Sequence, residues 1–255
     1  MGIQVEASVG NIESLHSAIT GGATRIELCS ALALGGLTPC FGTMKVAARI
    51  SSIPVYALIR PRQGDFLYSE EEIQIMLYSI KAAKEAALQG VVLGALDAEG
   101  NIDMISSRRL CDYAHKLGLG VTYHRAFDQC NNAKKALEDI IELGCERILT
   151  SGLASSAQEG IEVLEELVEQ AGERISIMPG AGVNTGNAKQ ILDKTNAFEL
   201  HLSGKTTRSS KMKFIAEQSK MGSADVDDYQ LPVTDQETIS AVLRLVNDSD
   251  EINHD

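Results

Sequence analysis

Short apolar runs recur along this chain, and strongly polar residues follow them at their C-terminal ends. Glu6 ends the first run, near the N-terminus. Arg60 follows the apolar residues 55–59, and His124 follows 121–123. Runs of this length are typical of buried β-strands. A charge at the end of a buried strand is costly unless it meets a polar partner, so we expect the strand ends to converge on one polar site.

Segments with helical spacing of apolar residues lie between these runs. The clearest begins with a predicted capping box of Ser69 and Glu72, and its stripe is Ile73, Met76, Leu77, Ile80, Ala83 and Ala87. Eight predicted strands, ending near 6, 27, 60, 94, 124, 151, 179 and 201, alternate with at least seven helices. Such alternation predicts an α/β fold with a parallel sheet, and eight units predict a (β/α)8 TIM-like barrel. An open, doubly wound sheet is the alternative, but no G-x-G-x-x-G motif follows any strand.

The alternation ends after the eighth strand. Residues 204–233 are polar and rich in Ser, and a connection of this length predicts either a mobile segment or a cover over a functional site. A final helix follows, for which Thr234 and Glu237 suggest a second capping box. We expect a single barrel domain over residues 1–247, with this extension and final helix, and a frayed tail at 248–255.

Composition and charge exclude several classes of function. The formal net charge of −12 argues against nucleic acid or an anionic membrane as the main partner. No apolar stretch approaches the roughly 20 residues that a membrane span requires, and the N-terminus lacks the pattern of a secretory signal. The five cysteines are odd in number and contain no C-x-x-C pair, which predicts free thiols and a cytoplasmic location.

The polar strand-end residues are the candidates for chemistry, because barrels of this class place their active sites at the C-terminal ends of the strands. A His beside a carboxylate suits proton transfer near neutrality. The candidate catalytic residues are Glu6, Glu27, His124, Asp128 and His201. Guanidinium groups bind anions through forked hydrogen bonds, and the candidates for that role are Arg60, Arg62 and Arg125. For any one of them the alternative is an ion pair that stiffens the mouth.

Two glycine-rich turns follow the seventh and eighth strands, where these barrels commonly bind phosphate. Glycine lets backbone N–H groups approach an anion closely. We therefore expect a phosphate or carboxylate ligand at Gly180, Gly182, Ser203 and Gly204. The alternative is that these segments are only tight turns between strands and helices.

A soft metal site is a third possibility. Cys29, His124 and His201 lie at strand ends, and Cys40 and Cys130 lie on loops of the same face. Such a site would select Cu(I) or Zn. The spacing of these residues matches no compact metal motif, so the sequence signal for a metal is weak.

Several blocks of this sequence resemble the copper homeostasis protein CutC family. In chain order they are residues 27–29, 35–39, 59–66, 123–128, 147–152, 180–182 and 199–201, within a resemblance that spans 3–215. The resemblance implies a TIM-like barrel, a cytoplasmic location, a homodimer and a role in copper homeostasis. It also implies Cu(I) binding at Cys29, which matches the family's cysteine after Glu-Leu, whereas Cys40 stands where the family more often has Ser.

The residues shared with the family are mainly Arg, Glu, Asp, His and Gly, which suit anion binding and proton transfer better than Cu(I). Three functions therefore stay open. One is a cytoplasmic CutC-type protein that serves copper homeostasis and binds Cu(I). Another is a TIM-barrel enzyme that acts on a small anionic substrate, phosphorylated compounds included. A ligand-sensing protein on the same scaffold is a third.

Overall fold

The computed structural model describes residues 2–216, 218, 219, 221 and 226–247, so the predicted tail at 248–255 lies outside the described residues. Eight parallel strands alternate with helices, as the sequence predicts. The strands are β1 Gln4–Val9, β2 Arg25–Leu28, β3 Val55–Leu58, β4 Gly90–Leu93, β5 Gly120–Tyr123, β6 Arg147–Thr150, β7 Ser176–Pro179 and β8 Glu199–Leu202. The helices between them are α1 Ile12–Thr20, α2 Phe41–Ile50, α3 Glu70–Glu85, α4 Met104–Lys116, α5 Ala133–Glu142, α6 Ile161–Ala171 and α7 Ala188–Thr195.

The strand order confirms the barrel and excludes the open, doubly wound sheet. Neighbouring strands pair in the order β7-β6-β5-β4-β3-β2-β1-β8, so the first strand lies beside the last. The two edge strands, β7 and β8, meet at their C-terminal ends, where Gly180 packs against His201. A Cβ on Gly180 would lie 3.2 Å from the Cβ of His201 and 2.4 Å from Cδ1 of Leu149, so glycine allows the barrel to close here.

Alternation along each strand separates the core from the site. In β1, Val5, Ala7 and Val9 join the large apolar core that the strands form with the helices. The side chains between them, Glu6 and Ser8, face the barrel interior instead. Polar groups therefore occupy the interior, and the helices seal the outer faces of the strands.

Helix caps fix where the outer helices begin. The capping box of Ser69 and Glu72 at the start of α3 is confirmed. The second capping box was wrong. Thr234 ends a strand, and the carboxylate of Asp235 accepts instead from the backbone N–H of Thr238 at 3.0 Å. A carboxylate at this position is favoured by the partial positive charge of the helix N-terminus.

The segment after β8 forms an antiparallel hairpin of β9 Lys205–Ser209 and β10 Gln230–Thr234, followed by α8 Gln236–Asn247. Contacts to α1 and the residue that caps it hold the hairpin beside the mouth of the barrel. The Asn11 amide donates to the Pro232 carbonyl at 2.9 Å, and the backbone N–H of Thr234 donates to Ser14 Oγ at 3.0 Å. The sequence analysis left two alternatives for this connection, a mobile segment or a cover over a functional site, and the paired strands beside the mouth favour the cover.

In the described part of the chain, no helix combines the length and apolarity that crossing a membrane requires.

Candidate functional site

A cavity of about 730 Å³ opens at the C-terminal ends of the strands. Residues from the barrel, from the loops after β2 and β3, and from the hairpin line it together. The predicted site residues among them are Glu27, Arg60, His124, Arg125, Asp128, His201 and Ser203. The polar strand ends therefore converge, as the sequence analysis expects.

Glu6, His201 and Glu27 form a chain of contacts at the base of this cavity. His201 Nδ1 lies 2.8 Å from Glu6 Oε1, and His201 Nε2 lies 3.7 Å from Glu27 Oε2. All three side chains are buried, but only His201 and Glu27 line the cavity. Glu6 lies behind His201, where it orients the imidazole ring.

The two carboxyl groups in this chain differ in their pKa. Burial acts to raise the pKa of Glu6, but the hydrogen bond with His201 and the charge of Arg25 outweigh it and lower the pKa to about 2. Burial raises the pKa of Glu27, and the negative charge of Glu6 adds to that effect. The pKa of His201 is raised: burial opposes this, but the Glu6 hydrogen bond and the Glu27 charge outweigh it. Glu6 is therefore the stronger acid of the two carboxyls, Glu27 keeps its proton to a higher pH than an ordinary Glu, and His201 keeps its second ring proton to a higher pH than an ordinary His.

Three further charged residues lie beneath Glu6 in the barrel interior, and the sequence analysis missed them. Arg25 bridges two carboxylates: its Nε donates to Glu6 Oε2 at 2.5 Å, and its Nη2 donates to Glu199. Arg147 Nε also donates to Glu199 Oε2, at 3.2 Å. Arg25 and Glu199 each precede a predicted site residue by two positions in the same strand, and residues two apart in a strand share a face. That spacing was the signal that could have found them.

Arg60 is held by the loops around the cavity. Its Nη1 donates to the carbonyls of Leu34 and Gly36, both at 3.0 Å, and its Nη2 donates to that of Gly64 at 2.8 Å. The side chain is buried and its Nε is without a hydrogen-bond partner. Among the described residues, Arg60 forms no ion pair with a carboxylate. It is therefore a buried cation without a counter-charge among the described residues.

His124 differs from His201 in its charge. Its Nδ1 accepts from the backbone N–H of Ala126 at 3.1 Å, which places the ring proton on Nε2. Burial and the nearby charge of Arg60 lower the pKa of His124 to about 3. The ring is therefore neutral near pH 7 and serves as a hydrogen-bond donor, which is a different role from the predicted acid or base.

Asp128 and Arg125 line the cavity, but much of their hydrogen bonding is to the protein. Asp128 accepts from Arg125 Nε at 2.7 Å, from Thr150 Oγ1 at 2.5 Å and from Ser151 Oγ at 2.9 Å. The backbone N–H groups of Ser151 and Leu153 also donate to it. A carboxylate with this many donors shapes the loop after β6, so we leave Asp128 out of the proposed catalytic group.

Arg62 does not reach the cavity lining. It donates to Glu72 at 2.5 Å and to Asp65 Oδ1 at 2.9 Å. Its other N–H groups donate to the backbone carbonyls of Gln63, Asp65 and Leu67. All five donors of the guanidinium are occupied, so Arg62 holds the loop after β3 rather than an anion.

The predicted glycine cradle is also absent from the cavity lining in the described structure. The backbone N–H of Gly180 donates to the Thr150 carbonyl at 2.9 Å, so it is not free for a ligand. The carbonyl of Gly182 accepts from Asn184 and Asn187 within its own turn. The Gly204 carbonyl accepts from Asp235 at 2.7 Å, and only Ser203 of the predicted set lines the cavity.

Cys29, the candidate metal ligand, lies in the barrel interior with Tyr56, Leu58 and Val92. Its Sγ lies 3.5 Å from Glu27 Oε2, and burial together with the charge of Glu27 raises the pKa of the thiol well above its ordinary value. Cu(I) needs thiolate or thioether ligands. Across the described residues, no group of three or more His, Cys, Asp or Glu side chains is arranged to hold a metal ion. This donor set does not fit Cu(I).

Comparisons with known proteins agree on one family. The CutC family model matches residues 3–206. The CutC family protein of Vibrio campbellii (strain ATCC BAA-1116) is 63% identical over 247 residues, which is 97% of this chain and 100% of the relative. That of Vibrio cholerae (strain ATCC 39315) is 59% identical over 249 residues, covering 96% of this chain and 98% of the relative.

Solved structures show the same barrel. The crystal structure of a CutC protein from Streptococcus agalactiae, whose name refers to copper homeostasis, is 34% identical with a TM-score of 0.74. That match covers 78% of this chain and 97% of the other. Thiamine phosphate pyrophosphorylase from Pyrococcus furiosus is 14% identical, with a TM-score of 0.58 and coverage of 96% of both chains. The second likeness shows the fold alone.

Proposed function

This chain belongs to the CutC family, and we propose that the mouth of its barrel binds a small organic anion and transfers a proton to it. The arrangement of Glu6, His201 and Glu27 at the base of the cavity carries this proposal. Enzymes that use one carboxyl as an acid and keep a second one ionised give the two groups different pKa values, as is the case for Glu27 and Glu6.

In the proposed reaction, Glu27 is the general acid. Its proton passes from the carboxyl oxygen to the substrate atom that gains an electron pair as a bond within the substrate breaks. The Glu27 carboxylate that remains lies 3.7 Å from His201 Nε2 and takes a new proton from solvent after the product leaves. Glu6 accepts from His201 Nδ1 and keeps Nε2 directed to Glu27. Because the hydrogen bond with His201 and the charge of Arg25 lower the pKa of Glu6 to about 2, Glu6 does not compete for the transferred proton.

The cations of the cavity support an anionic substrate. Arg60 is buried without a carboxylate partner among the described residues, and Lys205 adds a second cation from the hairpin. The other walls include apolar side chains, among them Leu32, Leu58 and Phe66. We propose a substrate with one charged end and a short apolar body.

An untargeted metabolite screen tests this function. Purified protein is incubated with a small-molecule extract of bacterial cells in D₂O, and the products are followed by mass spectrometry. We expect at least one small anion to be consumed or to gain deuterium, because the proton that Glu27 delivers comes from solvent. If no anion changes relative to heat-denatured protein, at several pH values, the enzymatic proposal fails.

Copper homeostasis is the second candidate function, and the name of the Streptococcus agalactiae protein supports it. The specific hypothesis to test for this function is that Cys29 binds Cu(I) directly. Cys40 is the exposed thiol of this chain, and hydrogen bonds from the side chain and backbone of Thr43 lower its pKa. Exposed, more acidic thiols bind metal more readily.

We therefore expect that any Cu(I) bound in a titration against a competing chelator will depend on Cys40. The measurement compares wild type with Cys29→Ser and Cys40→Ser. Stoichiometric binding that disappears in Cys29→Ser and persists in Cys40→Ser would instead establish a copper site at Cys29.

The cytoplasmic location and the homodimer remain proposals. Light scattering of the purified protein tests the dimer.

A further inference from the structure

Two buried nitrogen atoms that belong to cavity-lining residues have no hydrogen-bond partner. They are Nε of Arg60 and Nε2 of His124. Both carry a hydrogen, since Nε of a guanidinium group is an N–H donor and His124 Nδ1 already accepts from the Ala126 N–H. A buried donor without an acceptor costs about 1–3 kcal/mol. Such a cost is expected where a ligand supplies the missing acceptor.

The side chains that carry these two donors both pack on the ring of Phe66. The ring centroids of Phe66 and His124 are 5.0 Å apart, and the guanidinium carbon of Arg60 lies 5.3 Å from the centroid of Phe66. Arg60 is further fixed by three backbone carbonyls, and His124 by the start of the 3₁₀ helix Arg125–Gln129. The donors are therefore held in place before any ligand arrives, which lowers the entropic cost of binding.

The charge of this donor pair is +1, because the His124 ring is neutral. A carboxylate carries −1, whereas a phosphate monoester carries about −1.5 to −2 near pH 7. The glycine turns that bind phosphate in many barrels are not available, since the Gly180 N–H is already bonded and Gly182 does not line the cavity. The charge of the donor pair therefore matches one carboxylate better than a phosphate, and Lys205, the second cation of the cavity, lies outside this pair.

We infer that Arg60 and His124 together bind the carboxylate of a small, unphosphorylated organic acid. This inference rests on the proposed function and narrows its substrate class. After a shift of the two side chains exposes these buried donors to the cavity, one oxygen of the carboxylate accepts from Arg60 and the other from His124, so both donors are satisfied. The apolar walls then contact the aliphatic part of the acid, and the end to be protonated faces Glu27 and His201.

Binding of defined probes to the full chain tests the inference. Pyruvate, lactate and 2-oxobutyrate are compared with inorganic phosphate and glycerol 3-phosphate by isothermal calorimetry. We expect the carboxylates to bind more tightly than the phosphates. Arg60→Gln is expected to weaken carboxylate binding by about 10- to 100-fold, the effect of losing a hydrogen bond to a charged group. Arg174→Gln, at an exposed arginine in the loop between α6 and β7 that pairs with Glu138 of α5, is the control for the change in net charge.

Because Arg60 also holds three loop carbonyls, Arg60→Gln can fail to fold, and His124→Asn provides a second variant. Asn can still accept from the Ala126 N–H as a helix N-cap, but it lacks the Nε2 donor. We expect a loss of carboxylate affinity of about 3- to 10-fold with an unchanged unfolding midpoint. In wild type, the Nε2–H resonance of His124 should shift on adding pyruvate and should not titrate between pH 5 and 9.

The outcomes separate this inference from the proposed function. If glycerol 3-phosphate binds more tightly than every carboxylate, or if both variants bind carboxylates like wild type, the donor pair is not the carboxylate site. The acid role of Glu27 and the supporting role of His201 would survive either result. If no probe binds and the metabolite screen is also negative, both the inference and the proposed function fail.

Discussion

Replacing Glu27 by Gln is expected to lower the turnover of the substrate by about 10²- to 10⁴-fold, the usual contribution of a positioned general acid. Gln has the same shape and can still accept a hydrogen bond from Cys29, but it has no proton to transfer. Substrate affinity should stay close to that of wild type, because the proposed anion-binding residues are Arg60 and His124. The measurement is kcat and KM for the compound that the metabolite screen identifies.

The direction in which turnover changes with pH follows from the pKa of Glu27. Burial raises the pKa of Glu27, so its acid form persists to a higher pH than that of an ordinary carboxyl. Turnover should therefore fall as the pH rises through that pKa, and Glu27→Gln should lack this falling limb. Glu70→Gln, at an exposed carboxylate that pairs with Arg109 on the outside of the barrel, is the control. If Glu27→Gln keeps turnover similar to that of the control, Glu27 is not the acid.

Barrel topology was predictable from the sequence because the alternation of strands and helices is a local signal. Closure of the barrel then places residues from the two ends of the chain side by side. Glu6 in β1 and His201 in β8 are partners in the strand register and meet at 2.8 Å. Their meeting follows from the strand count alone, without any knowledge of side-chain packing.

The roles of the loop residues were not predictable in the same way. Arg60 and Arg62 are two positions apart, yet Arg60 lines the cavity and Arg62 does not. The difference depends on which carbonyls and carboxylates the loop after β3 presents, and no sequence periodicity records that. Asp128 is similar: its acceptors are occupied by β6 and the loop that follows it, which the sequence places more than 20 residues away.

The charged residues inside the barrel could have been predicted from the sequence but were not. A prediction based on the strand ends alone leaves out the residues two positions earlier, such as Arg25 before Glu27. In many barrels those interior positions hold apolar side chains. Here Arg25, Glu199 and Arg147 form a buried ion network instead, and it fixes the ionisation of Glu6. The interior of this barrel therefore supports the site electrostatically as well as structurally.

Replacing Arg25 by Met is expected to cause the largest loss of stability of any substitution proposed for this chain. Arg25 is buried and is paired with Glu6 and Glu199. Met fills a similar volume but leaves two carboxylates with less compensation. Removing one partner of a buried ion pair costs about 3–5 kcal/mol, so we expect the free energy of unfolding at pH 7 to fall by about that amount. Chemical denaturation followed by circular dichroism measures it.

The loss should depend on pH in a defined direction. The pKa of Glu6 is about 2 in the folded protein, below the value of 4.5 for an unperturbed group. The stability that Glu6 contributes is therefore fully present above pH 4.5 and is lost as the pH falls towards 2. Because Arg25→Met removes a cause of that lowered pKa, the difference between variant and wild type should be largest near neutrality and should shrink below pH 4.5.

Arg109→Met provides the matched control, since it removes an exposed arginine that pairs with Glu70 on neighbouring outer helices. Water screens that pair, so its unfolding midpoint should stay close to that of wild type. Equal stability of Arg25→Met and Arg109→Met at pH 7 would show that the interior network does not hold Glu6 ionised. In that case the orientation of His201, and with it the acid role of Glu27, would lose its physical basis.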